Sequence, residues 1–329
     1  MNTSDEPWSE ENARLRLTQL ARAAPINVEG ARFLPSLSND VWGVGEAILR
    51  VCWRGDRRRF VKEAALLTQL PAEVGCPPLL DAGMAGGLAW TLTRRLDGVT
   101  LDQTWGDGDE GRLKAILADY ARKLRALHGW IPTGEAADLL AEHAAASCPT
   151  PDLVTGHDVV PLPMPRAAAL AGHVRTLPYV DPGVADAAWA RMLELAELDP
   201  FRAPHFGRVA HSDAAYQNIL VAGDRVSALL DFEWARLGPP WVELNAWVRL
   251  LDDLRLQGER PPPILKWLEA VYPALFDAPR LGEGLWLTEL AYAFRHITCW
   301  PPTGPEADLP IEHPLFRLRR LIDAPLDWD

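Results

Sequence analysis

The sequence predicts an α+β protein of two lobes: a small β-rich N-terminal lobe over residues 1–95 and a larger, mainly helical C-terminal lobe over residues 96–329. Three observations predict this. Between residues 33 and 93, short apolar runs alternate with polar or glycine-containing turns, as strands do, around one helical stretch. From residue 111 to 130, Leu113, Ile116, Leu117, Tyr120, Leu124 and Leu127 recur at three- and four-residue spacing opposite a charged face, which reads as a long core helix. The 329 residues are enough for two separate cores.

The elements follow in order. Residues 8–24 read as an amphipathic helix over the first lobe. Residues 33–45 read as strand, polar turn, strand, and residues 47–51 as the next strand. Residues 60–70 read as a helix and 88–93 as a strand that leads into Arg94, Arg95, Leu96, Asp97 and Gly98. Beyond the core helix, residues 131–182 have a weak pattern. Pro149, Pro151, Pro161, Pro163 and Pro165 punctuate them, as in an insertion beside a substrate cleft. Residues 184–198 return to a helix, with Pro200 soon after its end. Residues 219–221 and 226–230 form a hairpin around a turn at 222–225. Residues 241–256, 264–272 and 285–295 read as helices. Pro261, Pro262 and Pro263 separate the first two, and Pro273 ends or kinks the second.

Bulk properties narrow the function. Lys plus Arg total 33 against 45 Asp plus Glu, a formal net charge of −12, which argues against nucleic acid as the main partner. The same charge is compatible with a small cationic ligand. There is no run of 18 apolar residues to span a membrane, and the acidic start of the chain lacks an apolar signal core, so a cytoplasmic protein is expected. Cys52, Cys76, Cys148 and Cys299 are far apart and form no Cys-x-x-Cys pair, so reduced thiols are expected and a zinc site is not.

The chemistry concentrates between His211 and Glu233. In an antiparallel hairpin the start of the first strand lies beside the end of the second, so Asn218 and Asp231 meet at the open end. Asp213, five residues before Asn218, reaches the same spot. Two carboxylates and an amide oxygen suit Mg²⁺, which prefers oxygen ligands and often takes only one or two carboxylates plus substrate phosphates. His-x-Asp-x-x-x-x-Asn, then a hydrophobic hairpin and Asp, is the logic of kinase-type phosphoryl transfer.

These residues resemble the aminoglycoside phosphotransferase and choline kinase-like family, whose members have a protein kinase-like fold. The family pattern His-Gly-Asp-x-x-x-x-Asn, hydrophobic hairpin, Ile-Asp is met by His211, Asp213, Asn218 and Asp231, with Ser212 in place of glycine. Residues 238–244 resemble the family's Gly-Asp-Pro-x-x-Asp-Leu, with Pro239 and Glu243 in place of the two aspartates. The Pro239 change removes a carboxylate that braces the catalytic loop in relatives. The resemblance implies ATP or GTP as co-substrate and Mg²⁺ as cofactor. It implies Asp213 and His211 as the catalytic pair, Asp213 orienting the acceptor hydroxyl and His211 bracing the loop, with Asn218 and Asp231 as metal ligands. Arg50 then meets the phosphates with Glu63 as its partner, Ser38 and Asn39 sit in the nucleotide-positioning loop, and Arg94 and Leu96 mark the hinge beside the base. Glu233 is read either as an aid to the metal or as a surface residue.

The expected acceptor is a small polyhydroxy, cationic molecule, with an aminoglycoside or related amino sugar preferred and antibiotic resistance as the implied role. Glu243, Asp252, Asp253 and Glu289 are candidates to line an acidic pocket for its amino groups, and Trp241, Trp247, Trp286, Trp300 and His296 are further candidates. A metabolic kinase for choline, a sugar or homoserine remains open, as do a phosphohydrolase and a nucleotide-binding pseudokinase that acts as an interaction module.

Overall fold

A computed structural model describes residues 9–34, 36, 39–53, 57–105, 109–145, 164–198, 207–302 and 304–327. Ser38, Cys148, Pro149, Pro151, Pro161, Pro163 and Pro200 lie outside the described residues. Among those described, no helix is long and apolar enough to cross a membrane.

The N-terminal region is an antiparallel sheet covered by one helix. Its strands are β1 (Arg32–Leu34), β2 (Asp40–Val44), β3 (Ala47–Cys52), β4 (Leu79–Ala85) and β5 (Leu88–Arg94), in the order β1-β2-β3-β5-β4. Helix α1 (Glu10–Ala23) starts at Ser9, whose side chain accepts from the Asn12 N–H. Its apolar face, Ala13, Leu17 and Leu20, packs with Trp42, Leu49, Val51, Leu88 and Trp90 of the sheet. Arg16 fixes that helix with a fork on Asp40 at 2.7 and 2.9 Å. Strand β4 was not expected. It lies at the sheet edge, is largely solvent-facing and has a register shift between Leu79 and Asp81, so it shows no apolar alternation. Helix α2 (Arg58–Leu67) turns Ala65 and Leu66 into the larger core.

The chain then crosses to a second, smaller sheet. Strand β6 (Val99–Thr100) pairs with β8 (Ile219–Ala222), which pairs with β9 (Arg225–Leu229). Gly98 permits this approach: its φ is +130°, and a Cβ there would stand 2.5 Å from the Val221 carbonyl oxygen. Helix α3 (Glu110–Gly129) is the predicted core helix, with Ile116, Leu117, Tyr120, Leu124 and Leu127 buried. Asp119 on α3 accepts from the Val226 N–H at 2.9 Å, and the Leu229 N–H donates to the Gly75 carbonyl at 2.7 Å. Strand β9 is therefore held by a side-chain carboxylate of α3 near one end and by the Gly75 carbonyl at the other.

Helices α4 (Gly134–Ala145), α5 (Met164–Arg175) and α6 (Pro182–Glu197) precede β7 (Arg208–Ala210), which pairs with β10 (Arg236–Gly238). The helix expected from residue 241 opens as a 3₁₀ turn, Pro240–Glu243, before α7 (Leu244–Leu256). Helices α8 (Ile264–Val271), α9 (Leu281–Cys299) and α10 (Pro314–Asp323) follow. Gly284 lets α9 close on Trp241, whose ring would lie 2.6 Å from an added Cβ.

Candidate active site

Strands β7 and β9 bring the two halves of the site together. His211 follows β7 and has 0% exposure. Burial lowers its pKa, and Nε2 donates to the Leu230 carbonyl at 2.8 Å, since a carbonyl oxygen only accepts. Its ring lies 4.4 Å from Phe232, just past β9. His211 thus ties the loop to the hairpin and positions it.

The loop backbone is held from below by Glu243. This carboxylate, 2% exposed, accepts the N–H groups of His211 at 2.5 Å and Ser212 at 3.2 Å. It also lies 3.4 Å from Nε2 of His128, whose Nδ1 meets the Tyr272 hydroxyl at 3.0 Å. The brace thought lost with Pro239 is present, supplied by Glu243. The same contacts remove Glu243 from the expected acceptor pocket, because its oxygens face inward onto backbone donors. Ser212 has φ +65°, the left-handed conformation that favours glycine.

Asp213 and Asn218 meet as predicted by their spacing. The Asn218 amide nitrogen donates to the Asp213 carbonyl at 2.8 Å and to its Oδ2 at 3.1 Å, which leaves the amide oxygen as a hard ligand. Asp231, at the end of the hairpin, has φ +68°, a region that Asp visits more readily than most residues. Its Oδ1 accepts from Nη2 of Arg50 at 2.5 Å.

Arg50 links the sheet to this loop. Its Nη1 donates to both Glu63 oxygens at 2.6 and 2.7 Å. Glu63 in turn accepts the Phe232 N–H at 3.0 Å, so α2 grips the residue next to Asp231. Glu233 has 0% exposure and is no surface residue: it lies 3.3 Å from Nε of Arg59 and 3.5 Å from Nη2 of Arg50. Asn39, whose side chain is buried, donates to both Glu233 oxygens at 3.2 Å and accepts from Arg59 at 3.1 Å. Asn39 therefore joins the turn before β2 to the hairpin. The Arg94 N–H donates to the carbonyl of Pro78, just before β4; β5 ends at Arg94, and Leu96 lies beyond it in the connection to β6.

The electrostatics are strongly perturbed. Burial pushes the Asp213 carboxyl up to about 7; Asp231 adds to the rise while Arg249 and Arg295 oppose it. Burial and then Asp231 raise Glu233, against Arg59 and Arg50. For Arg50, burial works against the charge, but Asp231, Glu63 and Glu233 outweigh it and keep the guanidinium ionised. Asp231, Glu63 and Glu233 thus gather around the guanidinium groups of Arg50 and Arg59, while Asp213 is opposed by Arg249 and Arg295. Among the described residues no three His, Cys, Asp or Glu side chains form a metal cage. The Asn218 amide oxygen and Asp231 carboxylate fit Mg²⁺ as part of a shell completed by phosphate and water.

The acceptor candidates are placed differently from expectation. Asp252 forms a fork with Arg320 of α10 at 2.9 and 3.1 Å, and Asp253 pairs with Arg317. Glu289 pairs with Arg249 at 2.5 Å and is buried. Each of these acids is neutralised by a neighbouring arginine, so they do not form the predicted acidic pocket. Trp241 and Trp247 are buried in the core, and Trp286 donates to the Leu321 carbonyl at 2.7 Å. Trp300 is exposed, 6.1 Å from His313. Arg249 and Arg59 carried no distinguishing signal in the sequence, because each lies in an ordinary helical pattern.

A profile described as phosphotransferase enzyme family matches residues 30–281. No curated protein matches the chain. Among solved structures, the gentamicin complex of APH(2'')-IIa is similar with 15% identity and a TM-score of 0.60, over 96% of each chain. The ADP-bound aminoglycoside phosphotransferase APH(2'')-Ib has 14% identity and a TM-score of 0.57, over 96% of this chain and 97% of the other. A thermostable mutant of aminoglycoside phosphotransferase APH(4)-Ia, bound to ADP and hygromycin B, has 17% identity and a TM-score of 0.56, over 94% of this chain and 97% of the other. These likenesses establish the fold as α+β and protein kinase-like, the fold that the residues around Asp213 implied.

Proposed function

Because the chain belongs to the phosphotransferase enzyme family, we propose that it moves the γ-phosphate of ATP or GTP to a hydroxyl of a small polyhydroxy molecule, with Mg²⁺. One observation carries this reading: Asp213, Asn218 and Asp231 converge while Arg50, held by Glu63, reaches the same point from β3.

Asp213 orients the acceptor hydroxyl and accepts its proton. A carboxyl with a pKa raised to about 7 is a better proton acceptor than an ordinary aspartate. Asn218 and Asp231 are the residues to hold Mg²⁺, which when bound neutralises charge on the β- and γ-phosphates. Arg50 attracts the phosphate tail as a fixed cation through the guanidinium hydrogens that Glu63 and Asp231 leave, and Glu63 fixes Arg50. His211 and Glu243 keep the loop in place. Alignment and charge stabilisation supply most of the rate, since phosphoryl transfer needs little covalent help.

An amino-sugar acceptor is a second reading, supported by solved structures that hold gentamicin and hygromycin B. The test of the catalytic reading is nucleotide binding by calorimetry with and without Mg²⁺, in the wild type and in Asp231→Ala, followed by acceptor-dependent release of ADP or GDP. Mg²⁺-dependent binding that Asp231→Ala weakens, together with turnover, supports the reading. Metal-independent binding without turnover would instead identify a pseudokinase module.

A further inference from the structure

Helix α7 is fixed to the catalytic loop through Glu243, the residue before its first turn. Two residues along one face of α7 have no role in the machinery above. Asn245 is 4% exposed, and both its amide nitrogen and its amide oxygen lack a hydrogen-bond partner in the protein. Buried amides are nearly always satisfied, and an orphan one marks a place where a missing group belongs. Arg249 lies one helical turn later on the same face, as residues four apart do.

Arg249 is anchored and only partly engaged. Its Nη1 meets Glu289 at 2.5 Å, its guanidinium carbon lies 3.6 Å from the centre of the Tyr292 ring, and its side chain retains 14% exposure. Arg295, one turn after Tyr292 on α9, lies 5.8 Å from the same ring. Glu243 ties the start of α7 to the backbone just before Asp213, and Arg249 and Arg295 both act electrostatically on Asp213. The acids nearby, Glu289, Asp252 and Asp253, are each already paired with an arginine. The amino groups of a polycationic sugar would therefore find Glu289, Asp252 and Asp253 already engaged by arginines.

We propose that Arg249, with Asn245 before it and Arg295 across from it, forms a subsite for an anionic oxygen group on the acceptor, a carboxylate or a phosphate. This rests on the reading of Asp213 as the residue that receives the acceptor hydroxyl. The acceptor is then a hydroxylated acid or a phosphorylated polyol. Arg249 is suited to it because its planar fork binds such groups with two donors, and its stacking on Tyr292 fixes the fork in one orientation. Asn245 adds an amide donor to the same group.

The test separates binding from turnover. With Mg²⁺ and a non-hydrolysable ATP analogue present, binding of gluconate, glucose 6-phosphate, glucose and gentamicin is measured by calorimetry. The wild type and Arg249→Gln are compared. A double variant, Arg249→Gln with Glu289→Gln, avoids a lone buried carboxylate, and retained nucleotide binding shows that each variant folds. Acceptor phosphorylation is then followed by mass spectrometry. The expected result is that an acid binds more tightly than glucose and gentamicin, and that the variants lose roughly 10- to 100-fold of that affinity. Preference for gluconate or for glucose 6-phosphate identifies the anion as carboxylate or phosphate. Tightest binding of gentamicin, or acid binding indifferent to Arg249, overturns the subsite. Acid binding that depends on Arg249, with no phosphorylated product from any acceptor, upholds the subsite and instead removes the phosphotransferase reading.

Discussion

Replacing Glu243 by alanine removes the acceptor for two buried N–H groups at once. His211 N and Ser212 N donate to it at 2.5 and 3.2 Å, and the carboxylate is 2% exposed, so water does not readily replace it. An unsatisfied buried donor costs about 1–3 kcal/mol, so the pair costs about 2–6 kcal/mol. That is a large share of a typical folding stability of about 5–15 kcal/mol. The loop would also lose the support that sets Asp213, so catalytic turnover should fall further than nucleotide affinity. Glu243→Gln keeps one acceptor oxygen and should lie between the two. Urea unfolding followed by tryptophan fluorescence gives the stability, since Trp247 is in the same core as the loop. Steady-state kinetics gives the turnover. A Glu243→Ala protein within about 0.5 kcal/mol of wild type, with unchanged turnover, would refute the role of this carboxylate.

Other outcomes follow from the same geometry. Ser212→Gly removes a left-handed strain and a buried hydroxyl without a partner, so the melting midpoint should rise by the equivalent of about 1 kcal/mol; a loss of stability would show that the loop is not strained there. Arg50→Ala should weaken nucleotide binding by roughly 10- to 100-fold, measured by calorimetry, while Arg50→Lys, which keeps the charge without the fork, should fall between; equal affinity in all three removes Arg50 from the phosphate site. The folded-state pKa of Asp213 is raised from 3.8 to about 7, so the folded state holds this proton more tightly than the unfolded state. That contribution is full at low pH and is lost as pH rises toward 7. In the metal-free protein, Asp213→Asn should therefore gain about 3 kcal/mol on the wild type between pH 4 and pH 7, read from paired urea titrations; a pH-independent difference would contradict it. Gly98→Ala should destabilise by about 2 kcal/mol or more, because its Cβ meets the Val221 carbonyl, and a neutral result would show that the crossing can shift.

The parts of the structure legible in the sequence share one property: their signal is local. The core helix α3 shows in its own periodicity, and Asp213, Asn218 and Asp231 show because one hairpin fixes their meeting. The α2 contact was legible as well, since Arg50 and Glu63 stand in the spacing of a familiar pairing and meet at 2.6 Å. What was hidden depends on distant partners. The acidity of Asp252 and Glu289 is plain in the sequence, but its cancellation comes from Arg320, 68 residues away, and Arg249, 40 residues away. Glu233 was ambiguous until Asn39, 194 residues distant, was seen to bond it. Helix α10 was missed because its N-cap is His313 rather than Ser, Thr, Asp or Asn.

The most direct test of the central claim is the fate of the γ-phosphate. Wild type and Asp213→Ala are each incubated with γ-labelled nucleotide, Mg²⁺ and a panel of hydroxylated acceptors, and the label is traced while nucleotide binding is measured in parallel. The account predicts label on an acceptor hydroxyl with the wild type, none with Asp213→Ala, and nucleotide binding in both. Label transfer by Asp213→Ala at the wild-type rate, or release of the label only as inorganic phosphate by the wild type, would contradict it.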